Sequence, residues 1–234
     1  MLTVLLDNSC GVNTPGKRSP EIDFINRQKK LADRERTAID NAMQFREYIF
    51  TRQVIKEVAK RLDEINYNVV VITPEETDIS LSSRIVRINT QCAKYGASKC
   101  VMISVGVNTT NRNNWIPSRG WSVCYKNEHN NSDKLSECMY TAANEIFKAN
   151  KDLSNSFKST RYKLTLEQIV DENDEYESNV AIISGTNCPA VMIKNFFIDN
   201  KEDIKYLESK QGFEDIVNVI VQGIIKYTEK YKKV

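Results

Sequence analysis

The chain has 234 residues, 41% hydrophobic and 27% charged, with a formal net charge of +2. That length and apolar content suit one layered domain with an ordinary core, and the near balance of charge leaves no field of the kind that grips nucleic acid. No run approaches the ~20 apolar residues of a membrane span, and the apolar start, without a basic leader or cleavage site, reads as a strand and not as a signal peptide.

Residues 2–6 form a continuous apolar run, which predicts a buried strand. The loop at 7–20 is rich in Gly, Pro, Asn and Ser, as functional loops are. Residues 21–40 are strongly charged, with Arg27, Lys29, Lys30, Asp33, Arg34, Glu35 and Arg36. This insertion or arm is either a solvated helix or a contact element that covers a cleft or docks on a neighbour. Residues 42–62 predict a helix whose buried stripe is Phe45, Ile49, Val54, Val58 and Leu62. Glu47 lies off that stripe, toward a cleft. A strand is expected at 69–72, ended by Pro74. A helix follows the 77–83 stretch, with Leu81, Ile85 and Ile88 on its apolar face and Gly96 at its end. Residues 100–105 predict the central buried strand.

The polar stretch 108–119 is a loop around Trp115, which could stack on a sugar or pack back on the protein. A strand is expected at 120–125, then a polar turn carrying His129, the single histidine. Residues 132–149 predict a helix with Ser132 as a cap ahead of Asp133. The stretch 150–178 is polar and irregular. Its acidic cluster (Asp171, Glu172, Asp174, Glu175, Glu177) lacks the calcium-loop pattern. Strands at 180–184 and 191–193 and helices at 201–210 and 213–230 complete the chain. Alternating strands and helices predict an α/β layered fold. The six cysteines, Cys10, Cys92, Cys100, Cys124, Cys138 and Cys188, show no metal-finger spacing. Free thiols and a reducing compartment are the expectation, although an even count leaves disulfides open.

Several stretches in fixed order carry a resemblance over nearly the whole chain. Ser9-Cys10-Gly11 sits in the opening loop, and Arg46-Glu47-Tyr48 on the first helix. Ser104-Val105-Gly106-Val107-Asn108 ends the central strand. Arg119-Gly120-Trp121-Ser122-Val123 and Ser132-Asp133-Lys134-Leu135 follow, and Asn187-Cys188-Pro189-Ala190-Val191-Met192-Ile193-Lys194-Asn195 closes the set. Together they resemble the zinc-dependent N-acetylmuramoyl-L-alanine amidases, a peptidoglycan-cleaving family often carried by bacteria and their phages. The resemblance implies one amidase-like domain over 1–234, with a twisted, mostly parallel sheet flanked by helices and 21–40 as a charged insertion. In that family the positions of Cys10, Glu47 and Gly106 hold zinc through histidine, glutamate and histidine, and the position of Lys194 is a glutamate that handles protons.

Of those four, this chain keeps Glu47. Zinc of this kind needs about three protein ligands and an open position for water. Cys10 is shorter than the imidazole it replaces, Gly106 offers no donor, and Lys194 cannot serve as a carboxylate base. At an effective dielectric near 20, two unit charges about 4 Å apart interact by roughly 4 kcal/mol, so an ammonium there opposes a dication. Lys194 could instead pair with the stranded Glu47 carboxylate, since a buried charge without a partner is expensive; alternatively both reach solvent in an open cleft. The expectation is therefore a degenerate site with no metal, no other cofactor and no catalysis. The expected role is structural, in the assembly of a phage tail or neck. Its partners would be other subunits, its location the virion, assembled in the host cytoplasm. The alternatives are a peptidoglycan-binding module without cleavage, and a divergent amidase, either with Cys10 as nucleophile and Lys194 lowering its pKa or with Cys10, Glu47 and a displaced His129 still holding zinc.

Overall fold

The computed structural model describes residues 1–23, 37–110, 114–117, 119–125, 131–149, 167–169 and 177–231. Most of the charged arm, His129, and Asp171 to Glu175 of the acidic cluster lie outside the described residues.

The strands are β1 (Thr3–Asn8), β2 (Asn68–Val71), β3 (Cys100–Asn108), β4 (Ser122–Tyr125), β5 (Glu167–Ile169) and β6 (Ala190–Phe197). The helices are α1 (Glu47–Glu64), α2 (Leu81–Tyr95), α3 (Ser132–Ala149), α4 (Glu177–Ser184), α5 (Lys201–Glu208) and α6 (Lys210–Tyr231). The strands form one six-stranded sheet in the order β2-β1-β3-β6-β4-β5. Every ladder is parallel except β4 against β6. This is the expected α/β architecture.

The strands are apolar on both faces because helices cover both. Val4 and Leu6 of β1, Val101, Ile103 and Val105 of β3, and Val191 and Ile193 of β6 join the larger core cluster with α1, α3 and α6. The alternate residues Leu5, Met102, Ala190 and Met192 join a smaller cluster with Ile88 and Cys92 of α2 and with Ile182 and Ile183 of α4. Period-two alternation thus feeds two cores from one sheet. Each fully buried Leu, Ile or Val contributes about 1.5–3 kcal/mol of transfer free energy.

Ends are set by local chemistry. Ser80 caps α2 by accepting from the Ser83 N–H at 3.2 Å. Gly96 stops it at φ 91°, where other residues are strained. Asn200 caps α5 through the Glu202 and Asp203 N–H groups. Ser132, expected as a cap, is the first residue of α3, and its hydroxyl accepts from the Ala190 N–H at 2.9 Å, tying the helix to β6.

Three expectations are corrected. The first helix begins at Glu47, not at 42. Residues 39–46 fold into a tight turn, with Ile39 bridged to Phe45 and Met43 at φ 56°, and bonds to the preceding loop hold it there, among them Ser19 N–H to Phe45 O at 2.9 Å and Ile22 N–H to Met43 O at 2.8 Å. The run expected as a strand at 180–184 is part of α4, because a short apolar run does not distinguish strand from buried helix. The stretch expected to be irregular contains β5, which extends the sheet beside β4. All six cysteines are free thiols, and only Cys124 is more than marginally exposed.

Candidate functional site

Glu47 is the first residue of α1, and its own N–H bonds to the Lys17 carbonyl at 3.3 Å. That backbone bond brings the two side chains together. The Lys17 Nζ stands 3.3 Å from Glu47 Oε2. Glu47 Oε1 accepts from the Ser9 hydroxyl at 2.5 Å and from the Val107 N–H at 3.1 Å. The carboxylate is fully buried. Burial alone would raise its pKa, but Lys17, then Lys194, Ser9 and the Val107 N–H together hold it below the ordinary range. Glu47 in turn raises the Lys17 ammonium above its ordinary value, against the opposing effect of burial.

The partner of Glu47 is therefore Lys17, from the opening loop. Lys194, expected in that role, forms no salt bridge with it and acts on it only through space. The open-cleft alternative fails as well, since Lys194 is 6% exposed and Glu47 is not exposed at all. Lys194 lies on β6 between Gly106 of β3 and Ser122 of β4 in register, so these three share one face. Burial lowers its pKa, and the like charge of Lys17 adds to the effect.

Cys10 is 1% exposed. Burial and then the Glu47 carboxylate push its thiol far above the ordinary range, so it is a protonated thiol at neutral pH and a poor nucleophile. A Cβ at Gly106 would sit 3.0 Å from Ser9 Oγ and 3.2 Å from Glu47 Oε1. An imidazole at 106 would have to displace the Ser9–Glu47 bond. Zinc does not fit this donor set. Glu47 Oε1 is hydrogen-bonded, and Oε2, buried without a hydrogen bond, faces the Lys17 ammonium at 3.3 Å; the Cys10 thiol is pushed toward its protonated form, position 106 has no donor, and a second ammonium, Lys194, also acts on the carboxylate. Among the described residues no three His, Cys, Asp or Glu groups converge as ligands.

The loop that carries Ser9 and Cys10 is fixed by arginines that sequence reasoning missed. Arg46 donates to Val12 O at 3.0 Å, and Arg52 to Cys10 O at 3.0 Å and to Glu75 O. Arg84 donates to Asn8 O, to Ile79 O at 2.6 Å and to Asp78 at 2.6 Å, and pairs with Asp7 at 3.5 Å. Asp7 also accepts from Ser104 at 2.8 Å. The one signal for this network was an aspartate closing an apolar strand. Gly11 passes so close to the neighbouring loop that a Cβ would lie 2.1 Å from the Asp78 nitrogen. Gly11→Ala is therefore expected to destabilise the fold by about 2 kcal/mol, the scale of an overpacked site, as read by urea unfolding.

Trp115 packs half-buried against the larger core, with Lys201 Nζ 5.3 Å from its ring centre, rather than standing out as a sugar platform. Arg119 pairs with buried Asp203 at 2.6 Å. Burial raises the Asp203 pKa to about 6 despite that partner.

The profile of the family described as N-acetylmuramoyl-L-alanine amidase matches residues 32–226. Among solved structures, the N-acetylmuramoyl-L-alanine amidase from Clostridium difficile 630 aligns with a TM-score of 0.69 at 20% identity, covering 98% of each chain. The catalytic domain of CwlV, the amidase of Bacillus (Paenibacillus) polymyxa var. colistinus, aligns at 0.65 and 17%, covering 98% of this chain and 99% of that one. The catalytic domain of the CD27L endolysin targeting Clostridia difficile aligns at 0.59 and 18%, covering 97% and 98%. At such identities the likeness shows the fold. No curated protein matches the chain.

Proposed function

We infer the function from one premise: the chain belongs to the N-acetylmuramoyl-L-alanine amidase family. Within that family we read it as a pseudoenzyme with a structural role. The observation that carries this reading is the ammonium of Lys17 seated 3.3 Å from the Glu47 carboxylate. A fixed cation balances that carboxylate, so the pocket holds its shape through side chains alone. Hydrolysis by the family's route needs a metal-activated water and a carboxylate base. Lys194 stands where that base would be and cannot accept a proton from water in its charged form. The covalent alternative is disfavoured by the buried, protonated Cys10 thiol.

The role we assign is assembly, as a component of a phage virion made in the host cytoplasm and contacting other protein subunits. The support is a family carried by phages as well as bacteria, together with a scaffold kept while its chemistry is lost. Metal analysis of the native protein, run beside an amidase assay on muropeptides, tests the loss of function. The expected result is zinc well below one per chain and no release of stem peptide; stoichiometric zinc with turnover overturns it. Mass spectrometry of purified particles tests the assembly role, which fails if the chain is missing from them. Retention on insoluble peptidoglycan that survives high salt would instead favour a wall-binding module, since salt screens simple charge attraction.

A further inference from the structure

We propose that Cys92 and Cys188 are a redox-sensitive pair, which closes into a disulfide when hydrogen peroxide reaches the protein and locks α2 to the turn that enters β6. The inference does not depend on the assembly role, because it rests on thiols that take no part in the Glu47 pocket.

Three of the six cysteines gather in the smaller core: Cys92 of α2, Cys100 at the start of β3 and Cys188 just ahead of β6. Sheet register brings two of them together. Met102 of β3 is paired with Ala190 of β6, and its N–H donates to the Pro189 carbonyl at 2.8 Å. Cys100 and Cys188 each stand two residues earlier along these parallel segments, facing the same core. A polar clamp brings in the third. The Asn89 side chain donates to the Gly185 carbonyl at 2.9 Å and accepts from the Asn187 N–H at 2.9 Å. That fixes α2 against the turn at 185–187. Cys92 lies three residues beyond Asn89, on the same side of the helix, and Cys188 directly follows the clamped turn.

The three thiols are chemically unequal. A hydrogen bond from Cys188 lowers the Cys92 pKa, burial opposes this, and Cys100 adds to the lowering. Cys188 holds its proton, its pKa raised first by the bond to Cys92 and then by burial. Cys92 is therefore the thiolate that attacks, and Cys188 the neighbour that resolves. Cys100 donates to the Gln91 carbonyl at 4.0 Å, and burial pushes its pKa up to about 11, so it competes poorly. Cys92 is 3% exposed, beside exposed Ala93 and Lys94, a depth that calls for a small oxidant. The Cys92 thiolate attacks one peroxide oxygen, the O–O bond breaks, and a sulfenic acid forms while the departing hydroxide takes a proton and becomes water. The Cys188 sulfur then attacks the Cys92 sulfur. The S–O bond breaks, and a second water leaves with the Cys188 proton. Two thiols are oxidised to one disulfide and the peroxide is reduced to two waters. The lock bears on the opening loop, because Arg84 on the same helix holds Asp7 and the Asn8 carbonyl.

Graded hydrogen peroxide on the full chain, followed by thiol blocking and mass spectrometry, tests the proposal. Trypsin separates the three cysteines, since Lys94 and Lys99 stand between Cys92 and Cys100 and Arg112 beyond them, so the joined peptides name the pair. The expected result is a loss of two hydrogens, with the Cys92 and Cys188 peptides linked and released again by dithiothreitol. The thermal midpoint of the oxidised wild type should exceed that of the reduced protein by roughly 8 °C, the scale of a bond closing a long loop. Cys188→Ala should lose both the link and the rise, and Cys100→Ala should keep both. The wild-type digest needs no variant to fold. No link at exposures that already oxidise the exposed Met1, Cys92 joined to Cys100 instead, or a link with an unchanged midpoint overturns the lock.

Discussion

Lys17→Met is expected to lower the free energy of unfolding by about 3 kcal/mol, while Lys194→Met leaves it within about 1 kcal/mol or raises it. The two lysines enclose the same carboxylate, yet they are not equivalent. Lys17 contacts Glu47 at 3.3 Å, and its removal strands a fully buried anion. Breaking one partner of a buried pair is strongly destabilising for that reason; the 16% exposure of the Lys17 side chain places the value at the low end. Among the described residues no salt bridge reaches Lys194, so methionine, of similar length, removes a desolvated charge and a repulsion from Lys17. Urea unfolding of both variants at neutral pH reads the difference. Equal losses would mean that the pair is shared and that the assignment of Lys17 is wrong. The sign with pH follows from the same geometry. The lowered Glu47 pKa gives stability that is present above its unfolded value near 4.5 and is lost as pH falls through the folded value. The raised Lys17 pKa gives stability that is present below 10.5 and is lost as pH rises through its folded value. The pair therefore supports the fold fully between those limits.

The largest loss is expected from Arg84→Met, about 3–5 kcal/mol, because the change removes one partner of a buried charge network. Arg84 is 2% exposed and Asp7 is fully buried. The guanidinium ties four things at once: Asp7 on the sheet, the carbonyls of Asn8 and Ile79, and the Asp78 carboxylate. Methionine would fill part of the volume but leave Asp7 with two hydroxyls, Ser104 and Thr73, and no cation. Burial already raises the Asp7 pKa, so the orphaned group would take up a proton. The variant's stability should then rise relative to wild type as pH is lowered toward 5, as measured by denaturant midpoints. Lysine at 84 would rescue little, since it cannot fork to several acceptors. A loss under 1 kcal/mol would show that the network is solvated in practice.

Much of the fold could be read from the chain. Continuous apolar runs marked β1 and β3, and apolar residues at helical spacing marked α2 and α6, since these patterns are local and survive any tertiary arrangement. The start of α1 could not be read, because residues 42–46 continue the helical pattern but belong to a turn tied to residues 19 and 22. The strand expected at 180–184 became helix for a similar reason: its apolar residues serve the same small core either way. The site divided along the same line. The family resemblance pointed to Cys10, Glu47, Gly106 and Lys194, and the structure brings Cys10, Gly106 and Lys194 around the Glu47 carboxylate.

By itself the sequence determined the layered architecture, because residue type and spacing carry it. The tertiary structure alone decided which cation meets the Glu47 carboxylate. Lys17 and Glu47 meet through a backbone bond across a loop closure, and charge pairing depends on distances of a few ångströms that sequence separation does not encode. The same folding put Lys194 inside between Gly106 and Ser122, where burial and the like charge of Lys17 both act against its ammonium.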